Sequence, residues 1–183
     1  TISGSNMIIG NSIYNNDGQG IDLGNDGTVL ANDGVLDGGD ENFGIDFPEL
    51  DTLENCEGQN SKVTLTLRLQ TGRDYRVEFF SNDSPDPANG EGEVFILAHT
   101  EPIVTNPQTF SVDLGTTIDP GKTLSATVTD LTFGNTSEFG TNITPTNVEI
   151  PTVTYDDQCP DISDALPATV DGIGGTFDFL DGL

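Results

Sequence analysis

From Val63 onward, apolar and polar residues alternate strictly. Val63, Leu65, Leu67 and Leu69 fall on one face of an extended chain, and Thr64, Thr66, Arg68 and Gln70 on the other. A period of two over this length predicts a half-buried antiparallel strand. Comparable runs at Tyr75 to Ser81, Val94 to Ala98, Thr109 to Leu114, Thr123 to Asp130 and Ser137 to Asn142 are punctuated by Asp-Pro, Asn-Gly and Pro-Gly turn signals. Short strands at this spacing predict a β-sandwich. No segment sustains a helical period, and 22 Gly and 10 Pro interrupt the chain throughout, so the fold class read from the pattern is all-β.

Upstream of Lys62 the texture differs. Between Met7 and Leu23, very short apolar runs are separated by Gly and Asn turns. Such spacing predicts the terminal rung or rungs of a parallel β-helix, whose inward Ile and Leu form a core only when rungs stack. The chain opens inside this repeat-like stretch, which reads as a piece of something longer. After Ile150, residues Pro151, Asp156, Asp157, Pro160, Asp161, Asp164 and Pro167 predict an acidic tail or linker. Its end differs again: Phe177, Phe179 and Leu180 make an apolar strand that either packs back on its own domain or docks on another molecule as an assembly strand.

Charge sharpens the picture. Asp and Glu total 31 against 5 Lys and Arg, for a formal net charge of -26. Nucleic acid and anionic membrane surfaces are excluded as natural partners on that balance, and no apolar segment is long enough for a membrane span. From Thr1 to Ser61 there is no Lys, Arg or His, yet Asp17, Asp22, Asp26, Asp33, Asp37, Asp40, Glu41, Asp46, Glu49 and Asp51 crowd one Gly- and Asn-rich stretch. Carboxylates that close repel, so protons, salt or a bound hard cation must balance them. Calcium suits oxygen ligands on flexible loops, and the candidate ligands are Asp22, Asp26, Asp33, Asp37, Asp40 and Asp46. The competing readings are Asx-turns bonding local N–H groups and a solvated acidic surface adapted to salt. A second, weaker calcium candidate is Asp83, Asp86, Asn89, Glu91 and Glu93 in a Pro-broken hairpin loop, for which a plain loop without metal is the competing and preferred reading.

Cys56 and Cys159 are the only cysteines, too few for a zinc site. They are expected to form a disulfide, which would stabilise by roughly 4 to 5 kcal/mol and imply an oxidising compartment; two unpaired thiols are the alternative.

The chain resembles secreted bacterial right-handed parallel β-helix repeat proteins that carry an immunoglobulin-like module after the last rung. The likeness covers roughly Asn6 to Phe139. In the first part it rests on Asn11, Ile13, Asn15, Gly20-Ile21-Asp22-Leu23, Asp26-Gly27, Asn32-Asp33, Asn42 and Phe47-Pro48 with Leu50. In the second it rests on Val77-Glu78-Phe79-Phe80-Ser81-Asn82, Gly90-Glu91-Gly92, Leu124 to Asp130 and Gly134-Asn135-Thr136-Ser137-Glu138-Phe139. The resemblance implies a secreted or cell-surface location, and together with the composition of the tail it divides the chain into three expected regions. These are a β-helix rung or cap with an acidic loop (1–55), an antiparallel immunoglobulin-like β-sandwich (56–150) and an acidic tail or assembly strand (151–183).

Catalysis is not expected. The solenoid part has no basic group to take a proton in lyase chemistry, the chain has no Trp and only 3 Tyr for a sugar-binding cleft, and the lone His99 has no triad partners in sequence. The expected function is an extracellular, calcium-stabilised structural or adhesive surface module. One alternative is a subunit of a filament joined by β-strand addition, with preceding rungs or copies of itself as partners. The other is a carbohydrate-binding part of a larger polysaccharide-active enzyme, with a glycan or cell-surface ligand.

Overall fold

The computed structural model describes residues 4–25, 27–35, 41–56, 59–83 and 90–148, together with the backbone of 153–154 and 169–170. Two four-stranded sheets carry the fold. The first has the order β5-β2-β1-β8 and the second β4-β3-β6-β7. Their strands are β1 (Glu49–Cys56), β2 (Ser61–Leu67), β3 (Arg73–Asn82), β4 (Val94–Ile103), β5 (Gln108–Asp113), β6 (Thr123–Asp130), β7 (Asn135–Thr136) and β8 (Thr146–Val148). All neighbours run antiparallel except β8, which lies parallel to β1. Residues through Val148 form one compact unit. The remainder forms a second, in which β9 (Val153–Thr154) pairs antiparallel with β10 (Thr169–Val170).

The alternation that begins at Val63 is realised directly. Val63, Leu65 and Leu67 of β2 are buried while Thr64 and Thr66 are partly exposed. They share one core with Leu53 of β1, Val112 of β5, Tyr75, Val77 and Phe79 of β3, and Leu124, Ala126 and Val128 of β6. Burial of such side chains is worth about 1.5 to 3 kcal/mol each, so this inner core dominates stability. The expected strand Ser137 to Asn142 is not one: β7 ends at Thr136, and only an isolated bridge pairs Ile143 with Leu124.

The stretch before β1 departs from the expectation of a solenoid. Among the described residues no strand precedes β1, and no β-helix rung is present; a single bridge joins Ile13 to Gly92. The physical reason is that its apolar residues find another surface. Ile8, Ile13 and Ile21 line a small gap with Glu78 and Phe80 of β3, Thr127 of β6 and Phe139. These sheet residues lie on the side of β3 and β6 opposite the core. Consequently all eight residues of β6 are buried, including the polar Ser125, Thr127 and Thr129.

Gly140 marks how tightly this layer closes. A Cβ there would sit 2.5 Å from the Pro48 carbonyl oxygen and 2.9 Å from the Phe47 ring, so only glycine fits.

Candidate functional site

An irregular segment laid over a sheet cannot pair its N–H groups in a ladder, and each buried one needs an acceptor. Side chains of the second sheet and the turns that follow it supply them. Asn135 Oδ1 accepts from Ser5 N at 2.9 Å, and Thr136 Oγ1 from Ile8 N at 2.8 Å. Glu78 Oε2 accepts from Gly10 N at 2.9 Å, while Arg76 Nη2 lies 2.8 Å from its other oxygen. Glu91 takes Asn15 N at 2.7 Å and Asn16 N at 2.8 Å. Glu138 takes Leu23 N at 2.7 Å and Leu30 N at 2.8 Å. All three glutamates are buried. A carboxylate offers two oxygens, and charge-assisted bonds of this length are roughly twice as strong as neutral ones, so a short acidic side chain ties two points of the segment at once.

The candidate calcium ligands are distributed along this segment. Asp22 Oδ2 accepts from Gly27 N at 3.1 Å, and its Oδ1 is buried without a hydrogen-bond partner. Asp33 is exposed and closes an Asx-turn on Val35 N at 2.9 Å. Asp46 is 4% exposed; its Oδ2 accepts from Gly34 N at 2.7 Å, and its Oδ1 is buried without a partner. Burial pushes the Asp46 carboxyl up to about 6, the Gly34 N–H bond works against that shift, and the nearby charges of Asp33 and Glu49 add to it. Asp26, Asp37 and Asp40 lie outside the described residues. So do Cys159, Phe177, Phe179, Leu180 and the side chain of Cys56. Among the described residues no three acidic, His or Cys side chains gather as a metal-holding group.

The missing positive charge is supplied in part from elsewhere in the chain. Arg68, just past β2, places Nε 3.0 Å from Glu49 Oε1. Its guanidinium is held charged by that bond and by the charges of Glu49, Asp46 and Asp51. Sequence distance hid this compensation.

Two surface pockets adjoin the segment. One, of about 140 Å3, is lined by Tyr14, Asn15, Asn82, Asp83, Glu91 and Glu93. The structure therefore brings together three members of the second acidic group. They are internally engaged: Glu93 Oε2 accepts from Asp83 N at 3.0 Å, and Asp83 Oδ1 lies 2.7 Å from Lys122 Nζ. The other pocket, of about 170 Å3, is lined by Phe43, Arg73, Phe133 and Asn135. The Arg73 guanidinium stacks 4.5 Å above the Phe133 ring and donates from Nη1 to the buried Asp130 at 2.7 Å. Asp130 Oδ1 in turn accepts from Thr132 N and Phe133 N, shaping the turn that holds the ring. His99 lies within β4, with Nε2 3.1 Å from Glu101 Oε2.

No family model and no curated protein matches this chain. Sequence reasoning did not single out Glu78 and Glu138, and it read Glu91 only as a member of the second acidic group. All three stand inside the short motifs on which the resemblance rests. A glutamate embedded among buried positions was the available signal.

Proposed function

We propose that the chain is an extracellular, calcium-stabilised structural and adhesive module that acts by presenting surface, without turnover. In this reading the two sheets form an immunoglobulin-like sandwich, and the N-terminal segment is an acidic cover laced onto it. Support for the architectural role comes from Glu78, Glu91 and Glu138, whose buried carboxylates hold backbone N–H groups. The oxidising compartment follows from the proposed Cys56–Cys159 bridge.

The observation that carries the calcium is Asp46. A buried carboxylate with one oxygen lacking a partner, beside Asp33 and Glu49, is costly when ionised. A hard cation relieves the burial cost and both repulsions at once, and the oxygen donors of Asp46 and Asp33 suit calcium. Asp46 and Asp33 are the ligands this reading assigns among the described residues; when bound, the ion supplies charge neutralisation and pins the loop.

Thermal melts at pH 7.5 and fixed ionic strength test it, comparing EDTA with calcium chloride. Calcium at a hundredfold excess over its dissociation constant stabilises by about 2.7 kcal/mol, an upward shift of roughly 5 to 10 °C for a chain of this size. Asp46→Asn should abolish that response. A melt that depends only on ionic strength, with no calcium effect, removes the ion and leaves salt adaptation as the reason for the charge.

A further inference from the structure

Arg68 is the basic side chain whose charge reaches the acids around Asp46. The chain before Asp46 is clasped to the chain after it by Asn32, whose Oδ1 accepts from Phe47 N at 2.9 Å and whose Nδ2 donates to Phe47 O at 2.8 Å. Gly34 follows, giving its N–H to Asp46 Oδ2 and accepting at its carbonyl from Asn106 Nδ2 at 3.2 Å. Arg68 flanks the same spot. A Cβ built on Gly34 would lie 3.8 Å from the Arg68 Cβ, and Arg68 Nε reaches Glu49 Oε1 at 3.0 Å. Its charge acts on Glu49, Asp46 and Asp51. The other four Lys and Arg are engaged elsewhere: Arg73 at Asp130, Arg76 at Glu78 and Lys122 at Asp83, while Lys62 stands opposite Glu54 and Asp113 in the first sheet. The buried, unpartnered Asp46 Oδ1 thus sits in a group of carboxylates that includes Asp33 and Glu49 and is answered by a single guanidinium.

We propose that Arg68 sets the calcium affinity of the Asp46 site, because its guanidinium and the ion draw on the same carboxylates. The inference rests on the calcium reading of Asp46 and adds to it the residue that tunes the response. A positive charge beside a bound dication repels it, and the Arg68 Nε–H bond also engages a Glu49 oxygen that is otherwise free to face the ion. The restraint is permanent, since a guanidinium keeps its proton throughout the pH range of the folded chain. Ligand charge count is one of the quantities that set calcium affinity, and a site with one positive charge subtracted falls in the range of about 10⁻⁴ to 10⁻³ M in which extracellular modules work. There, occupancy follows the concentration of the ion instead of remaining full. The coupling is mutual: if Arg68 weakens calcium, calcium loosens the pair of Arg68 with Glu49 to the same degree. The two side chains are 38% and 32% exposed, so the guanidinium can turn into water when the ion enters.

The test is a calorimetric titration with calcium chloride at fixed ionic strength, on the parent, Arg68→Gln, Arg68→Lys and Asp46→Asn. Arg68→Gln removes the charge and should tighten calcium by about tenfold or more, while Arg68→Lys keeps the charge and should stay within about threefold of the parent. In the 15N-labelled parent, the Arg68 Nε–H resonance should move along the same saturation curve as the heat, as the pair with Glu49 loosens. An Arg68 that only braced the loop would give the opposite result, since losing the brace weakens calcium. Both Arg68 variants keep the fold, because the pair they alter is partly in water, and melts in EDTA within a few degrees of the parent's verify it. Equal or weaker binding by Arg68→Gln, equal tightening by Arg68→Lys, or an Nε–H resonance unmoved at saturation overturns the inference and leaves calcium at Asp46 standing. Absence of binding by both the parent and Arg68→Gln, or binding that survives Asp46→Asn, removes the calcium reading itself and this inference with it.

Discussion

Replacing Glu138 by Gln tests whether buried carboxylates fasten the N-terminal segment. Glu138 is 2% exposed, and its two oxygens accept from Leu23 N at 2.7 Å and Leu30 N at 2.8 Å. Each such bond to a charged acceptor contributes about 1.5 to 3 kcal/mol. The amide keeps one as a neutral bond worth about 0.5 to 1.5 kcal/mol and turns its NH2 group toward the other N–H. Removing the charge relieves part of the desolvation cost, which offsets the loss. The net expectation is a destabilisation of about 2 kcal/mol, hence a fall of roughly 4 to 8 °C in Tm. The defect should be local, since an opening of the segment leaves the inner core intact. Amide hydrogen exchange at Leu23 and Leu30 should therefore speed up, while that of Leu65 and Val128 changes only with global stability. A Tm shift below 1 to 2 °C, about 0.5 kcal/mol, together with unchanged exchange at Leu23 and Leu30, would refute the reasoning.

Two further outcomes follow from particular contacts. Because the folded Asp46 carboxyl titrates near 6 and the unfolded one near 3.8, the folded chain holds a proton that the unfolded chain has released between those values. In EDTA this group should make stability fall by about 2 to 3 kcal/mol as pH rises from about 4 to 7, and contribute no further change above that window. The Tm difference between the parent and Asp46→Asn across this range isolates the effect; a flat difference would contradict it. Gly92→Ala places a Cβ 2.9 Å from atoms of both Phe80 and Phe139, whose rings meet edge to face at 5.6 Å. Overpacking there should cost about 1 to 3 kcal/mol, and a Tm equal to the parent's would show that the aromatic pair yields freely.

The inner core was legible because period two leaves little choice for Val63, Leu65 and Leu67: a register slip would turn all three outward. β6 was legible only in part. Its alternating Leu124-Ser125-Ala126-Thr127-Val128-Thr129 reads as one buried and one solvated face, yet both faces are buried. Alternation reports which face is apolar and cannot distinguish water from a polar protein layer over the other. The density of Asp in the first fifty residues drew attention to charge, while the carboxylates that organise the segment lie far away in sequence, at Glu78, Glu91 and Glu138. The pocket beside Phe43 was illegible for the same reason. Phe43, Arg73 and Phe133 converge only after β3 pairs with β6, and nothing in the run Glu41-Asn42-Phe43-Gly44 signals a bulky residue at positive φ.

The low hydrophobic content of 33% takes on a physical meaning in this light. A protein with so few apolar residues can build one dry core between two sheets and little more. Its second layer adds only a small apolar contact at Ile21, Leu23, Phe80 and Phe139 and is fastened for the rest by hydrogen bonds, for which a carboxylate suits because one side chain can meet two N–H groups of an irregular chain. Each fastener, however, leaves a negative charge in a poorly solvated place. Arg76 answers that charge at Glu78, while Arg68 pairs with the part-exposed Glu49. With only 5 Lys and Arg in the whole chain, such pairing cannot be extended to every buried acid. Asp46, protonated up to about pH 6 and with one oxygen lacking a partner, is where that shortage is most exposed, and it is the point at which a cation would stabilise the fold most.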